Sequence, residues 1–204
     1  MKIICVGMNY AEHVNEMLNE LPAEPVLFMK PDTALLRNNE AFYIPSFSNE
    51  VHYECELVVK IDRIGKNIET RFASRYYSSV GLGIDFTARD VQRDLRAKAL
   101  PWEKAKAFDK SAALSAEFIP LEELPALEKI NFHLEKNAER VQHGKLSEMI
   151  FSIDELIAEI SKYYTLKIGD LIFTGTPAGV GRVDVGDQLV GYIENRKMFD
   201  FSIK

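Results

Sequence analysis

No stretch of this 204-residue chain approaches the ~18 consecutive apolar residues that a bilayer-crossing helix requires, so no membrane span is expected. Met1-Lys2-Ile3-Ile4-Cys5-Val6-Gly7 starts like the apolar part of a secretory signal. Asn9, Glu12 and His13 end that run too early for one. Cysteine is scarce. Cys5 and Cys55 form neither a disulfide framework nor a CxxC pair, and both stand in apolar stretches, as reduced core residues of a cytoplasmic protein do. Positive charge is not in excess either: 25 Lys+Arg stand against 31 Asp+Glu, a net −6, which offers no bulk attraction for nucleic acid or anionic lipid. Repeats, low-complexity tracts and Gly/Ser-rich linkers are missing, so residues 1–204 are expected to form one domain. What remains is 47% apolar and 27% charged, a composition that builds a packed core and argues against disorder.

Apolar runs predict buried strands over residues 2–7, 26–29 and 80–86, with a short helix over 10–18 ahead of Pro22 and Pro25. Residues 52–61 begin in strict alternation. Tyr53, Cys55, Leu57, Val59 and Ile61 share one face, and His52, Glu54, Glu56, Val58 and Lys60 the other. Thr87 with Asp90 three residues on reads as a capping box opening a helix that stops by Pro101, and Ser152 with Glu155 reads as a second. Ile153, Leu156, Ile157, Ile160 and Tyr164 recur at helical spacing behind that second box. Ile130–Leu134 and Arg140–Gln142 pattern as a hairpin, and Gly169-Asp170 and Gly186-Asp187 each open an apolar strand. Strands outnumber helices without alternating regularly with them, which favours a β-rich α+β fold over a doubly wound one.

Glu54-Cys55-Glu56 places two like charges on one side of a strand, roughly 7 Å apart between Cα atoms. Either this is a solvated polar face, or a hard divalent cation lies between the carboxylates. Asp85, near the end of an apolar strand, is either a turn aspartate ahead of a helix or a third ligand, since an uncompensated carboxylate there is costly. His13 and Glu16 share a helix face at i,i+3, as a surface pair or as a general base oriented by a carboxylate. His52 is a nearby ligand or a bystander. Arg89 and Gln92 are also three apart and can point into a site beside Asp85. The loop Thr174-Gly175-Thr176-Pro177-Ala178-Gly179-Val180-Gly181 lacks the Lys-Ser/Thr ending of a phosphate-binding P-loop. It is a connector, or its N–H groups and the Thr176 hydroxyl receive a substrate carboxylate.

In order along the chain, Asn9-Tyr10-Ala11-Glu12-His13, Tyr53-Glu54-Cys55-Glu56-Leu57-Val58-Val59, Asp85-Phe86-Thr87-Ala88-Arg89-Asp90, Pro101-Trp102, Lys106-Ala107-Phe108-Asp109, Met149-Ile150-Phe151 and Gly169-Asp170 through Gly181 resemble the fumarylacetoacetate hydrolase family, most of all its short stand-alone acylpyruvate hydrolase and oxaloacetate decarboxylase members. The resemblance implies a mixed β-sandwich roll, a homodimer and one Mg²⁺ or Mn²⁺ per site. By the same resemblance the metal ligands fall on Glu54, Glu56 and Asp85, the catalytic His–Glu dyad on His13 and Glu16, and the catalytic lysine on Lys106. Substrate contacts fall on Arg89, Gln92, Thr176 and Lys30. Met8 replaces an arginine common in acylpyruvase-type members, Lys110 and Ala113 replace Thr and Pro, and Asn137-Ala138-Glu139 replaces Asn-Gly-Glu. Alanine at positive φ would strain that turn, so a different turn type is expected.

The expected chemistry is hydrolysis of a carbon–carbon bond in an acylpyruvate, a small 2,4-dioxo acid, with His13 activating water and Lys106 helping to stabilise the enolate. Oxaloacetate decarboxylation, or isomerisation or hydration of a related oxo acid, is the first alternative. A non-enzymatic fold with a structural ion is the second. Residues 16–24, polar and bounded by prolines, are a candidate lid.

Overall fold

Ile3–Val6 has no polar side chain to turn toward solvent, and in the computed structural model, which describes residues 1–16 and 20–204, it lies between two neighbours in a sheet. Strand Ile3–Gly7 pairs antiparallel with Val26–Lys30 at the sheet edge and parallel with Leu171–Phe173 on the other side. The sheet continues through Cys55–Ile61, Tyr77–Asp85 and Ala112–Leu114 to Leu35–Leu36, with Ile119–Pro120 also paired to Tyr77–Asp85. Glu139–Lys145, Asn131–Lys136, Gln188–Ile193 and Arg196–Ser202 form a second sheet, antiparallel throughout. Leu57 and Leu82 from the first sheet share one buried cluster with Phe132, Leu189 and Phe201 from the second. The fold is thus the β-rich α+β sandwich expected, with Ile153–Tyr163 as its longest described helix, opened by the Ser152/Glu155 capping box. No helix among the described residues is long and apolar enough to cross a membrane.

Three local readings change. Alternation through 52–61 predicts one strand, but the chain breaks at Glu54 into Val51–Tyr53 and Cys55–Ile61. The first piece leaves the main sheet and pairs with Thr87–Ala88 and Gly181–Arg182 in a small third sheet. Thr87 does not cap the following helix. The helix begins at Arg89 with Ala88 as its N-cap and no side-chain cap; Asp90 turns instead to Ser48 Oγ and the Asn49 N–H. The strand expected over 80–86 starts earlier, at Tyr77, and ends at Asp85. Of the helix expected over 10–18, Ala11–Glu16 is helical, and residues 17–19, which also belong to the candidate lid, lie outside the described residues.

The hairpin keeps the tight turn that its alanine argues against. Asn137 and Ala138 both sit at positive φ, 55° and 65°, the geometry of a type I′ turn. Alanine pays ~1–2 kcal/mol for that conformation, partly offset because glycine loses more freedom on folding, ~0.4–1 kcal/mol. Ala138→Gly is therefore expected to stabilise the protein by about 0.5–1 kcal/mol. Urea unfolding reads this as a higher midpoint at unchanged slope, and a lower midpoint would refute it.

Candidate active site

The break at Glu54 builds the site. Cys55 pairs with Ile84 and Glu56 with Gly83, and the Asp85 N–H donates to the Glu54 carbonyl at 2.8 Å. Two neighbouring strands therefore deliver Glu54, Glu56 and Asp85 to one place, where one oxygen from each lies within 4.8 Å of the others. All three are buried, Asp85 completely (0% exposed) and Glu56 nearly so (2%). The solvated-face reading of the Glu-x-Glu pair is thereby excluded.

Cations answer part of this charge. Lys106 Nζ lies 2.7 Å from Glu54 Oε2 and 2.8 Å from Asp85 Oδ2. Arg89 Nη2 donates to Glu54 Oε1 at 2.5 Å, and Arg89 Nη1 to Gln92 Oε1 at 2.6 Å. The Thr87 hydroxyl, freed from capping, also donates to Glu54 Oε1. Burial alone would push the Glu54 carboxyl up, but the Lys106 and Arg89 cations hold it well below the usual carboxylate range. Burial would likewise lower Lys106, and Asp85 with Glu54 raise it instead, so it stays an ammonium. Among the described residues Glu56 has no cation paired to it and accepts only the Gly175 N–H, at 2.8 Å; burial, with the Asp85 and Glu54 charges, pushes its carboxyl well up.

Lys30 stands elsewhere than a substrate contact should. Its ammonium is fully buried 2.7 Å from Asp85 Oδ1 and hydrogen-bonds Ser111 Oγ and the carbonyls of Phe86, Lys106 and Ser111, behind the carboxylates rather than on the cavity wall. Although Lys30 is close, no donor among the described residues is aligned for a hydrogen bond on Asp85 Oδ1. His52 is a bystander to the triad: Glu50 Oε1 lies 3.0 Å from its Nε2, and Arg89 Nε donates to its Nδ1 at 3.4 Å.

His13 and Glu16 do meet, with Nδ1 3.3 Å from Oε2. His13 is buried at the cavity wall, whereas the Glu16 side chain is 39% exposed and also accepts the Gly179 N–H. A carboxylate on Nδ1 fixes the proton there and leaves Nε2 as the basic atom. Asn9 closes the end of this wall, accepting the Phe151 N–H and donating to the carbonyls of Phe151 and Thr174. Gly175, at φ +100°, passes so close to Asn9 that a Cβ would meet its Cβ at 2.7 Å. The Thr176 hydroxyl is committed to the Cys55 carbonyl and receives Gln142 Nε2, so its proton is not available to a ligand.

His13, the triad, Arg89, Gln92, Lys106 and Thr176 line one cavity of ≈ 220 Å³, together with Met8, Phe28 and Trp102 and the charged side chains of Glu20 and Arg96, which the sequence reading did not single out. That is below the ~300–1,000 Å³ typical of drug-sized ligands. With Glu56 paired to no cation among the described residues, the three gathered carboxylates make an all-oxygen donor set that fits a hard divalent cation.

The fumarylacetoacetate hydrolase C-terminal family model matches residues 2–199. The oxaloacetate tautomerase FAHD1 of Mus musculus is 42% identical over 202 residues, covering 99% of this chain and 91% of that protein. The oxaloacetate tautomerase YcgM of Escherichia coli is 43% identical over 189 residues, 92% of this chain and 86% of that one. Among solved structures, the fumarylpyruvate hydrolase of Pseudomonas aeruginosa in complex with Mn²⁺ and pyruvate superposes with a TM-score of 0.93 at 32% identity, over all of this chain and 89% of that one.

Proposed function

This chain belongs to the fumarylacetoacetate hydrolase family of enzymes, and from that premise we propose that it interconverts the keto and enol forms of oxaloacetate or a closely similar 2-oxo dicarboxylic acid. The observation that carries the reading is one small cavity holding His13, the Lys106, Arg89 and Arg96 cations and an all-carboxylate cation site. Glu54, Glu56 and Asp85 would hold Mg²⁺ or Mn²⁺, which when bound would supply Lewis-acid polarisation of the 2-oxo group. The chain's own residues do the rest. His13 Nε2 takes a proton from C3, the electron pair of that C–H bond moves toward the 2-oxo oxygen, and the oxygen takes a proton from water to give the enol while the imidazolium returns its own to solvent. Lys106 and Arg89 offset the negative charge as it develops, where electrostatic help lowers the barrier most. Lys106 itself, held as an ammonium between two carboxylates, is unsuited to be the base. Arg89 and Gln92, both on the cavity wall, would meet the anionic ends of a short substrate.

Acylpyruvate hydrolysis is the second reading, favoured by the likeness to the fumarylpyruvate hydrolase and by the oriented His13–Glu16 pair, which suits activation of water. The purified protein with Mg²⁺ is assayed on oxaloacetate by loss of enol absorbance and on a panel of acylpyruvates by release of pyruvate. Tautomerisation well above the solvent rate, with slower acylpyruvate cleavage, is the expected result. Rapid cleavage of acylpyruvates with no tautomerase activity would hand the assignment to the hydrolase.

A further inference from the structure

The two metal-site glutamates flank Cys55, at a point where the sheet has lost a neighbour. Leu171–Phe173 pairs with Cys55–Ile61 only as far as Phe173 opposite Val58. Beyond it the chain swings into the 174–181 loop, leaving the edge at Leu57 and Cys55 without a strand among the described residues. One backbone N–H and two hydroxyls stand in for the missing ladder. Thr174 supplies its N–H and hydroxyl to the Leu57 carbonyl, and the Thr176 hydroxyl donates to the Cys55 carbonyl at 2.8 Å. The Cys55 N–H is met from the other sheet, by Gln142 Oε1 at 2.9 Å.

Gln142 is 2% exposed, and its amide is fully engaged. Besides accepting from Cys55, its Nε2 donates to Thr176 Oγ1 at 2.9 Å and to the Pro177 carbonyl at 3.0 Å. The result is a closed circuit: Cys55 N–H to Gln142, Gln142 to Thr176, Thr176 back to the Cys55 carbonyl. It fixes the peptide between Glu54 and Glu56. It also fixes the loop whose Gly175 N–H holds Glu56.

We propose that Gln142 is a positioning residue that locks the hairpin sheet onto the cation site and sets how Glu54 and Glu56 present their oxygens. This rests on the functional reading above in requiring a cation at the triad. Outer partners that orient metal ligands typically matter 10–100-fold for metal affinity.

The test measures Mn²⁺ affinity by titration calorimetry, beside kcat and KM, for Gln142→Met, Thr176→Val and the double variant. Gln142→Met keeps the shape and removes the hydrogen bonds. About a tenfold weaker Mn²⁺ affinity is expected for Gln142→Met, with a smaller loss for Thr176→Val. The double variant should be no worse than Gln142→Met, because both changes open one circuit and so do not add. His143→Ala, on the outward face of the same strand, should bind as wild type. If Gln142→Met does not fold, Thr176→Val alone carries the test, and wild-type affinity in it overturns the proposal. Additive losses, or unfolding of both variants, overturn it too, making Gln142 a determinant of folding only. Failure of the wild-type protein to bind Mn²⁺ would instead strike the functional reading.

Discussion

Glu56→Gln is expected to reduce turnover by about three orders of magnitude and, without metal, to leave the protein more stable than wild type. Both effects come from one imbalance. Glu54 and Asp85 are each paired with buried cations, whereas among the described residues Glu56 has a single backbone N–H. An unpaired buried charge costs several kcal/mol, and replacing buried ionic groups by neutral ones of similar shape often stabilises by ~1–4 kcal/mol. Glutamine keeps an oxygen for the Gly175 N–H and removes the charge. At ~2–4 °C per kcal/mol for a chain of this size, the metal-free variant should melt a few degrees higher. Wild type should recover its deficit when Mn²⁺ is added: at one hundred times Kd a ligand contributes ~2.7 kcal/mol, or about 5–10 °C. The variant should gain almost nothing. The loss of activity follows from losing several kcal/mol of charge stabilisation, at ~1.4 kcal/mol per tenfold. Thermal melts with EDTA and with Mn²⁺ check the two halves together. An equal Mn²⁺ shift in both proteins would show that Glu56 is no ligand.

The same residues mark how far the sequence could be read. Glu54, Glu56 and Asp85 could be singled out because carboxylates inside apolar strands must be compensated, but spacing left a solvated face open and only the family resemblance made them one set. Arg89 and Gln92 could be placed beside Asp85 from local spacing, whereas other partners come from far along the chain: Lys106 lies 52 residues from Glu54, and Gln142 lies 87 from Cys55. Thr87 looked like a cap on local spacing, yet a buried carboxylate oxygen outcompeted the helix end for its hydroxyl. The strand break at Glu54 was hidden for the same reason, because alternation is identical whether one sheet or two receive the segment. Lys30, read as a substrate contact by resemblance, proves to be the counter-charge beneath Asp85. Gln142 carried one faint signal, an amide on the inward face of a hairpin strand, opposite Leu134. Such a group must find partners, but nothing local says which.

His13→Asn separates the reactions that this site can support. The amide nitrogen of asparagine can stand near the former Nδ1 and keep the Glu16 contact, while the basic Nε2 is removed. Keto–enol interconversion moves a proton from C3, and hydrolysis removes one from water, so both need that atom. General-base catalysis contributes ~10²–10⁴-fold, and losses of that size are expected for oxaloacetate tautomerisation and for any acylpyruvate cleavage. Decarboxylation of oxaloacetate is different. The bond between C3 and the departing carboxylate breaks, CO₂ leaves, and the electron pair passes toward the 2-oxo oxygen without any proton going to a base. It depends on the triad, Lys106 and Arg89, all untouched by the substitution, and should fall less than about tenfold by the same reckoning. Following enol absorbance, CO₂ release and pyruvate formation in one protein preparation gives the three rates side by side. An equal fall in all three would mean that His13 shapes the cavity rather than carrying the proton, and the base would then have to be sought among the other groups that line it.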